Sequence, residues 1–427
     1  MAQNIVIYLV LHQPRRLRLP AFPIPPGARP ADMARALFDE RMNRRYFEKV
    51  ARTSYRPTVA LLRQLVDEGF KINLGFSFSF LRQCREWDPA LLEQFRKLVA
   101  DPNVELVAVE PYHSFIMLLD LPAFIQRMKW GQSELKTLFG KIPRVADTAE
   151  IALSDGISHA LEFAGFEAAV MDGRSWVLNW REPTHLYSPG AGRRFRLLTR
   201  HVQLSDDVGY RFSNRGWSGW PLLASTYAEW LAMASGEFIF LGWDFETFGE
   251  HHRLESGIFD FLRWFPREAA TRGLTFLSVS EVLDRYYDQA FQLSLPAFPT
   301  TWAGSGGMEF FLGNSVQQAV FQLMAYAYNK ALLTEDHEMI DLATWLCQSD
   351  NLHLIQWYGR SGAEAEVSAY FTPHEWWKLG PQGISWEIQQ VYKNWIAALD
   401  PYLAHFYIPN EESDHNQAFA SNPELVS

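Results

Sequence analysis

The sequence predicts an α/β protein with a mainly parallel β-sheet, helices outside the sheet and a helical region after it. Short apolar segments rich in β-branched and aromatic residues alternate with longer helix-like segments over most of the chain. Such alternation is typical of parallel strands joined by crossover helices. A segment rich in Pro, Gly, Ser and Thr at 292–307 ends the alternation. Beyond it, apolar residues recur at helical spacing.

The strands are predicted from seven apolar segments, at 4–11, 72–80, 104–110, 166–172, 195–200, 237–245 and 274–279. Helices are predicted between most of them, at 43–69, 117–139, 155–164, 221–234 and 254–272. Ser278 and Glu281 form an S-x-x-E capping box, which marks the start of a further helix at 281–290. Seven strand–helix units favour a closed or nearly closed barrel over an open sheet, but the spacing does not decide between them.

A domain boundary is predicted near residue 295. We expect a barrel domain at 1–295 and a helical domain at 296–408, whose helices are predicted at 315–332, 336–347 and 386–399. The polar residues 409–427 predict a disordered tail. A Pro-rich insertion at 18–33 is too long for an ordinary strand-to-helix loop, and we expect it to cover the cleft.

Composition and charge exclude some classes of function. The formal net charge of −10 argues against a nucleic-acid partner, which requires a basic surface. The 16 Trp fit either a large core or a sugar-binding cleft. The two cysteines, Cys84 and Cys347, are far apart and predict reduced core residues in a cytoplasmic protein. The first residues lack a basic segment and a cleavage site, so we expect neither secretion nor membrane insertion.

Three predicted strands end in polar clusters, at 12–14, 110–114 and 243–252. The carboxyl ends of parallel strands are the usual active-site positions in such folds. A histidine at a strand end, such as His12 or His113, is more often a hydrogen-bonded structural residue than a ligand. The segment 243–252 is less easily explained in that way, because three carboxylates and two imidazoles alternate with aromatic residues where an apolar strand stops.

A metal site and a carboxylate pair are the two chemistries that this cluster could support. Asp244, His251 and His252 are suitable ligand types, but adjacent histidines tend to point apart in an extended chain, so the metal alternative is weak. Two carboxylates across a cleft suit glycosidic cleavage, in which one attacks the anomeric carbon and the other protonates the leaving oxygen. Asp244 is a candidate for one role, whereas its partner cannot be chosen from the residues alone.

The chain resembles the α-amylase-like members of glycoside hydrolase family 57 over nearly its full length. Six segments, in the expected order, are similar to motifs of that family: HQP (12–14), VELVAVEPYHS (104–114), PRVADTAEIALSD (143–155), LLTRHVQLSDDVGYRFSN (197–214), WDFETFGEHH (243–252) and CQSDN (347–351). The most specific is WDFETFGEHH, which is similar to the family's D-Y-E-T-F-G-E-H motif.

This resemblance implies an incomplete (β/α)7 barrel followed by a C-terminal helical bundle that completes the cleft. It implies a retaining reaction on an α-linked glucan or maltooligosaccharide, hydrolytic as in an α-amylase or transferring as in a 4-α-glucanotransferase. Glu150 would be the nucleophile and Asp244 the general acid/base. The implied substrate-binding residues are His12, Gln13, His113, Trp243, Glu246 and Asp350. Trp243 is expected to stack on a sugar ring, and neither a cofactor nor a metal is implied.

The sequence departs from the family pattern at several positions. Asp147, Thr148 and Ala149 precede Glu150 where the family usually has an Arg-Asn-Thr-type approach, and like-charge repulsion from Asp147 could raise the pKa of the nucleophile. Asn351 replaces a histidine of the helical-domain motif. A non-catalytic glucan-binding or regulatory protein on the same scaffold is therefore the main alternative, and a metal-dependent deacetylase is a weaker one.

Overall fold

One mixed β-sheet organises the computed structural model of the chain, which describes residues 3–403. Its ten strands are β1 (Asn4–Leu11), β2 (Ile72–Phe76), β3 (Val104–Val109), β4 (Val145–Asp147), β5 (Ala168–Asp172), β6 (Leu186–Ser188), β7 (Arg196–Arg200), β8 (Phe238–Asp244), β9 (Thr275–Phe276) and β10 (Phe291–Gln292). Seven of them form a parallel barrel in the order β1, β2, β3, β4, β5, β7, β8 and back to β1. The other three pair outside this ring, and β6 is antiparallel to β7.

The barrel is closed, so the expectation of an incomplete barrel is wrong, whereas the seven parallel strands and the helical C-terminal region are confirmed. The closing contact lies between β7 and β8, where Arg200 pairs with Phe240. The backbone N–H of His201 extends it by donating to the Phe240 carbonyl oxygen at 2.8 Å.

The predicted strands include one that is not in the barrel wall and omit one that is. The segment 274–279 contributes only β9, a two-residue strand that pairs with the first residues of β1 on the edge opposite β8. The missing wall strand is β4, whose three residues follow Pro143 and are too short to form a recognisable apolar segment. The segment 72–80 is also shorter than predicted, because Ser77 caps a helix directly after β2.

Every residue of β1 is buried, since the strand has one core on each side. Val6, Tyr8 and Val10 face the barrel interior together with apolar residues of the neighbouring strands. Ile5 and Ile7, on the opposite face, belong to the larger core between the barrel and the surrounding helices. This alternation follows from the two-residue period of a β-strand.

Helices surround the barrel and form the C-terminal region. They are α1 (Pro30–Leu37), α2 (Glu40–Val50), α3 (Arg56–Asp67), α4 (Phe78–Trp87), α5 (Pro89–Val99), α6 (Leu121–Phe139), α7 (Asp155–Ala164), α8 (Ser175–Leu178), α9 (Val202–Gly209), α10 (Ala224–Met233), α11 (Ile258–Thr271), α12 (Val279–Tyr286), α13 (Glu309–Leu312), α14 (Ser315–Leu332), α15 (His337–Leu346), α16 (Asp350–His353), α17 (Ala363–Phe371), α18 (Gly380–Ala398) and α19 (Asp400–Leu403). The predicted capping box of Ser278 and Glu281 is present and begins α12.

The helical region contacts the barrel through the turn between α15 and α16. Phe115 N–H donates to the carbonyl oxygen of Cys347 at 2.9 Å, and Ser349 N–H donates to that of His113 at 3.0 Å. These bonds hold the start of α16 at the carboxyl edge of the barrel strands. The division into domains at 1–295 and 296–408 stays a prediction.

The Pro-rich insertion at 18–33 is attached to α18. The backbone N–H of Ala21 donates to Glu387 Oε2 at 2.7 Å, and Asn394 Nδ2 donates to the carbonyl oxygen of Phe22 at 2.9 Å. The insertion thus joins the barrel to the helical region, while its expected role as a cover of the cleft stays a prediction.

Both cysteines are buried, as predicted. None of the helices within residues 3–403 has the length and apolar character needed to cross a bilayer. The predicted tail, 409–427, lies outside the described residues.

Candidate active site

Polar residues meet at the carboxyl ends of the barrel strands. β1 is followed by His12, β4 ends in Asp147 and leads into Glu150, and β8 ends in Asp244. Because these strands are parallel, their carboxyl ends lie at one edge of the barrel. Asp350, the first residue of α16, reaches the same edge, and its Oδ2 lies 2.9 Å from His12 Nε2.

Glu150 lies in a left-handed turn, and both of its carboxylate oxygens accept hydrogen bonds. Its φ of 62° costs a residue other than glycine roughly 1–2 kcal/mol. Ser349 Oγ donates to Oε1 at 2.8 Å and Trp302 Nε1 donates to Oε2 at 2.8 Å. Burial raises the pKa of Glu150 above its ordinary value, whereas both hydrogen bonds lower it. The two donors therefore fix the carboxylate in one orientation and favour its ionised form.

Asp244 has a different environment. Burial and, secondly, the negative charge of Glu150 raise the pKa of Asp244 to about 7, against the opposing positive charge of Arg200. Among the described residues, none donates a hydrogen bond that would lower the pKa of Asp244. The site thus contains one carboxyl group whose ionised form is stabilised by donors and another that keeps its proton up to neutral pH.

Two stacked imidazoles and a carboxylate lie beside this pair. The rings of His12 and His113 are 3.9 Å apart between centroids and inclined by 15°. His113 Nδ1 lies 3.0 Å from Ser349 Oγ, the hydroxyl that also contacts Glu150. Burial raises the pKa of Asp350, but the charge and hydrogen bond of His12 outweigh it and hold that pKa below the usual range. Burial lowers the pKa of His113 well below its ordinary value, so its imidazole is neutral at neutral pH.

His12, His113 and Asp350 also present ligand atoms within 4.8 Å of one another, a spacing that could hold a metal ion. This is not the set considered from the sequence, which comprised Asp244 and the two histidines after it. His252 is hydrogen-bonded instead, with Nδ1 2.8 Å from Ser213 Oγ and Nε2 3.2 Å from a backbone carbonyl oxygen. Among the described residues, Asp244 belongs to no such group of ligands.

Gln13, Glu246 and Trp243 are the remaining predicted substrate-binding residues. The Oε1 atom of Gln13 is buried and has no hydrogen-bond partner in the described part of the chain. Glu246 accepts a hydrogen bond from the Tyr55 hydroxyl. Trp243 is only 2% exposed, and its Nε1 donates to the carbonyl oxygen of Ser205 at 2.7 Å. We expected Trp243 to stack on a sugar, but its burial in the core leaves no free ring face for that contact.

A buried tyrosine–aspartate pair lies inside the barrel near the two carboxyl groups. Tyr8 OH donates to Asp147 Oδ2 at 2.6 Å, and the backbone N–H of Thr148 donates to Oδ1 at 2.8 Å. Gly75 makes room for this contact, since a Cβ there would lie 2.5 Å from the Tyr8 hydroxyl. Burial raises the pKa of Asp147 to about 7 despite both bonds, and the charge of Glu150 acts in the same direction. Asp147 therefore keeps a proton below neutral pH, which relieves the like-charge repulsion expected from the sequence.

Arg200 connects the ends of three barrel strands. Its guanidinium donates to Asp172 Oδ1 at 2.9 Å, to the Gly242 carbonyl oxygen at 2.9 Å and to Asp206 Oδ1 at 2.5 Å. Burial lowers the pKa of Arg200, but the two carboxylates outweigh it and hold that pKa above the usual range. Because Gly242 stands two residues before Asp244 in β8, this network also fixes the backbone that carries the second carboxyl group.

The loop that carries Trp302 is fixed by its own hydrogen bonds and by Arg174. Thr301 N–H donates to the Gly306 carbonyl oxygen at 2.8 Å. Arg174 donates to the carbonyl oxygens of Trp302 and Gly304, the latter at 3.0 Å. A Cβ on Gly306 would lie 2.6 Å from the Arg174 side chain, so this close approach requires glycine. The loop therefore holds the indole of Trp302 in place on the carboxylate.

Sequence reasoning missed four residues of the site: Tyr8, Arg200, Trp302 and Ser349. Trp302 lies in the segment that we interpreted as a domain boundary. The Pro, Gly, Ser and Thr content of that segment is typical of a linker and does not indicate a contact with the site. Ser349 could have been noticed, because it directly precedes Asp350 in the CQSDN motif.

Comparisons with known proteins identify the relatives of the chain. The family model described as Glycosyl hydrolase family 57 matches residues 6–296. A Methanocaldococcus jannaschii protein named "Putative alpha-amylase" is 37% identical over 289 residues, which cover 66% of this chain and 61% of that protein. The chain thus spans about three fifths of the length of this relative.

Solved structures share the fold at low sequence identity. The GH57-type branching enzyme of Pyrococcus horikoshii is 15% identical with a TM-score of 0.63, covering 94% of this chain and 97% of that one. The 4-alpha-glucanotransferase of Thermococcus litoralis is 17% identical with a TM-score of 0.54, covering 91% of this chain and 53% of that one. These likenesses concern the fold alone.

Proposed function

The chain belongs to glycosyl hydrolase family 57, and from that premise we propose that it is a retaining glycoside hydrolase or glycosyl-transferring enzyme acting on α-linked glucans. The observation that carries the proposal is the pair formed by Glu150 and Asp244. Both lie at the carboxyl edge of the barrel and interact electrostatically. Two hydrogen-bond donors oppose the rise in the pKa of Glu150, whereas the pKa of Asp244 is raised to about 7. Where the environments of two neighbouring carboxyl groups give them different pKa values, one can act as the nucleophile and the other as the acid.

In the first step, the ionised Glu150 attacks the anomeric carbon and forms a glycosyl ester. The bond to the leaving oxygen breaks, and that oxygen takes the proton of Asp244. In the second step, Asp244 accepts a proton from a water molecule or a sugar hydroxyl, whose oxygen attacks the anomeric carbon and releases Glu150. Two inversions give overall retention. Water yields hydrolysis, and a sugar hydroxyl yields transfer.

The charge of Glu150 links the two steps. While Glu150 is ionised, its negative charge raises the pKa of Asp244 and keeps the proton on the acid. When Glu150 becomes an ester, that charge disappears and the pKa of Asp244 falls. Asp244 then remains ionised and is ready to act as the base, so the same interaction supports both of its roles.

His12, His113, Asp350, Gln13 and Glu246 are proposed to bind sugar hydroxyls. Asp350 is ionised and offers acceptor oxygens, while the neutral His113 can donate or accept. Gln13 has a free buried acceptor, Oε1, within the described residues. Buried polar groups without partners cost stability, so a ligand that satisfies them gains affinity.

The proposal is tested by incubating the protein with maltoheptaose and separating the products by chromatography. Shorter sugars alone would indicate hydrolysis, and a ladder above the starting length would indicate transfer. Glu150→Gln and Asp244→Asn should each reduce the rate at least about 10³-fold. Asp207→Asn, which alters a buried carboxylate paired with Arg211, is the control and should keep most of the rate.

Two outcomes would overturn the catalytic proposal. Full activity of Glu150→Gln would exclude the nucleophile. Binding of maltoheptaose without any turnover by the unaltered protein would instead favour a non-catalytic glucan-binding or regulatory role on this scaffold.

A further inference from the structure

We propose that Trp176, together with the loop at 301–307, forms an outer binding subsite for a glucose unit of a long α-glucan. The inference rests on the proposed function and adds to it a determinant of chain length. Trp176 lies on α8, the short helix that follows β5 at the carboxyl edge of the barrel.

The indole of Trp176 is exposed but held in position. The side chain is 50% exposed, and its Nε1 donates to the carbonyl oxygen of Ser305 at 3.2 Å. Flat aromatic faces with a satisfied polar atom suit the apolar faces of pyranose rings. Because the hydrogen bond already fixes the ring, stacking of a sugar on it loses little side-chain entropy.

The loop connects this ring directly to the proposed nucleophile. Trp302 contacts Glu150 at one end of the loop, and Ser305 contacts Trp176 at the other. Three residues of chain span at most roughly 10 Å, so the loop places Ser305, and with it the indole of Trp176, close to Trp302. The sugar at Trp176 is then not the sugar at Glu150 but one farther along the same chain.

The surroundings of the ring favour a neutral ligand. Arg174, the nearest cation on the same segment, is already paired with Asp172 and donates to two carbonyl oxygens of the loop. Its charge is thus not available to an anionic ligand. Ser305 is exposed and stands between Gly304 and Gly306, so the loop leaves room for a sugar beside the indole.

A matched control is present in Trp264, which is also 50% exposed but lies on α11, one of the helices outside the barrel. Binding is measured by calorimetry in the Glu150→Gln background, so that the sugar is not consumed. Trp176→Ala should weaken the binding of maltoheptaose about tenfold and leave that of maltotriose within about twofold. Trp176→Phe should recover most of the affinity, and Trp264→Ala should change neither sugar.

Equal binding of maltoheptaose by the Trp176→Ala and Trp264→Ala proteins would overturn the subsite while leaving the proposed function intact. A failure of the parent protein to bind any maltooligosaccharide would overturn both. Unchanged sugar binding together with an altered sedimentation coefficient in Trp176→Ala would assign the ring to a contact between copies of the chain instead.

Discussion

Replacing Trp302 by phenylalanine should shift the acidic limb of the pH–rate profile to higher pH. The change removes the N–H group that donates to Glu150 Oε2 at 2.8 Å and keeps an aromatic ring in the loop. Only the ionised form of Glu150 attacks the sugar in the proposed mechanism. Loss of a donor to that form raises the pKa of Glu150, in the same direction as burial already does.

The size of the shift follows from the strength of the lost bond. A hydrogen bond to a charged group contributes about 1.5–3 kcal/mol, and one pKa unit corresponds to about 1.4 kcal/mol. The acidic limb should therefore move up by about one to two pH units. Below that limb, kcat/KM should fall about 10- to 100-fold. The basic limb, which reports the proton on Asp244, should stay near pH 7.

The assay is kcat/KM measured from pH 4 to 9 with a maltooligosaccharide that carries a chromogenic leaving group. Trp176→Phe is the control, since it removes an indole N–H bonded to the same loop but not to a carboxylate. An acidic limb that stays in place in Trp302→Phe, with the overall rate preserved, would refute the role assigned to this indole.

Three further changes test the buried ionisable groups. Arg200→Lys should lower the free energy of unfolding by about 2–4 kcal/mol in urea, because lysine cannot form the three-way contact, whereas the exposed Arg267→Lys should cost less than about 1 kcal/mol. Burial raises the pKa of Glu110 to about 7, so its neutral form is the stable one in the folded protein. The free energy of unfolding relative to that of Glu110→Gln should thus fall by about 2.5 kcal/mol as the pH rises from 5 to 8, and a constant difference would contradict this. Asp147→Ala should lower the free energy of unfolding by about 1–3 kcal/mol at pH 6, because it leaves the Tyr8 hydroxyl unpaired. Asp147→Asn should lower it less, since the amide can still accept that hydrogen bond. Equal losses in the two variants would argue against the Tyr8–Asp147 pair.

Much of the fold follows from local patterns in the sequence. Long, strongly patterned elements such as α7 and α14 have the predicted bounds, because one helical face is buried and capping residues mark the ends. β4 was missed because a three-residue strand owes its place to pairing with β3 and β5, which are distant in sequence. The strands that close the barrel, β7 and β8, share only one register pair, Arg200 and Phe240, for which no local signal exists.

The candidate site was predictable only where residues belong to motifs. Asp244 was a candidate from its place at the end of an apolar strand, whereas Glu150 was selected only through the resemblance to a family segment. The left-handed backbone of Glu150 and its donors Trp302 and Ser349 depend on tertiary contacts across about 150 or more residues of chain, which periodicity cannot reveal. The same holds for Trp243, whose burial overrides the role expected from its place in the motif.

The central proposal, a covalent intermediate on Glu150, is tested most directly by trapping it. The protein is incubated with a fluorinated α-glucosyl fluoride, which forms the intermediate quickly and releases it slowly, and its tryptic peptides are analysed by mass spectrometry. We predict one added glycosyl unit on the peptide 145–174, assigned to Glu150 by fragmentation and absent in Glu150→Gln. A label on another residue, or release of product with inverted anomeric configuration and no label, would contradict the proposed mechanism.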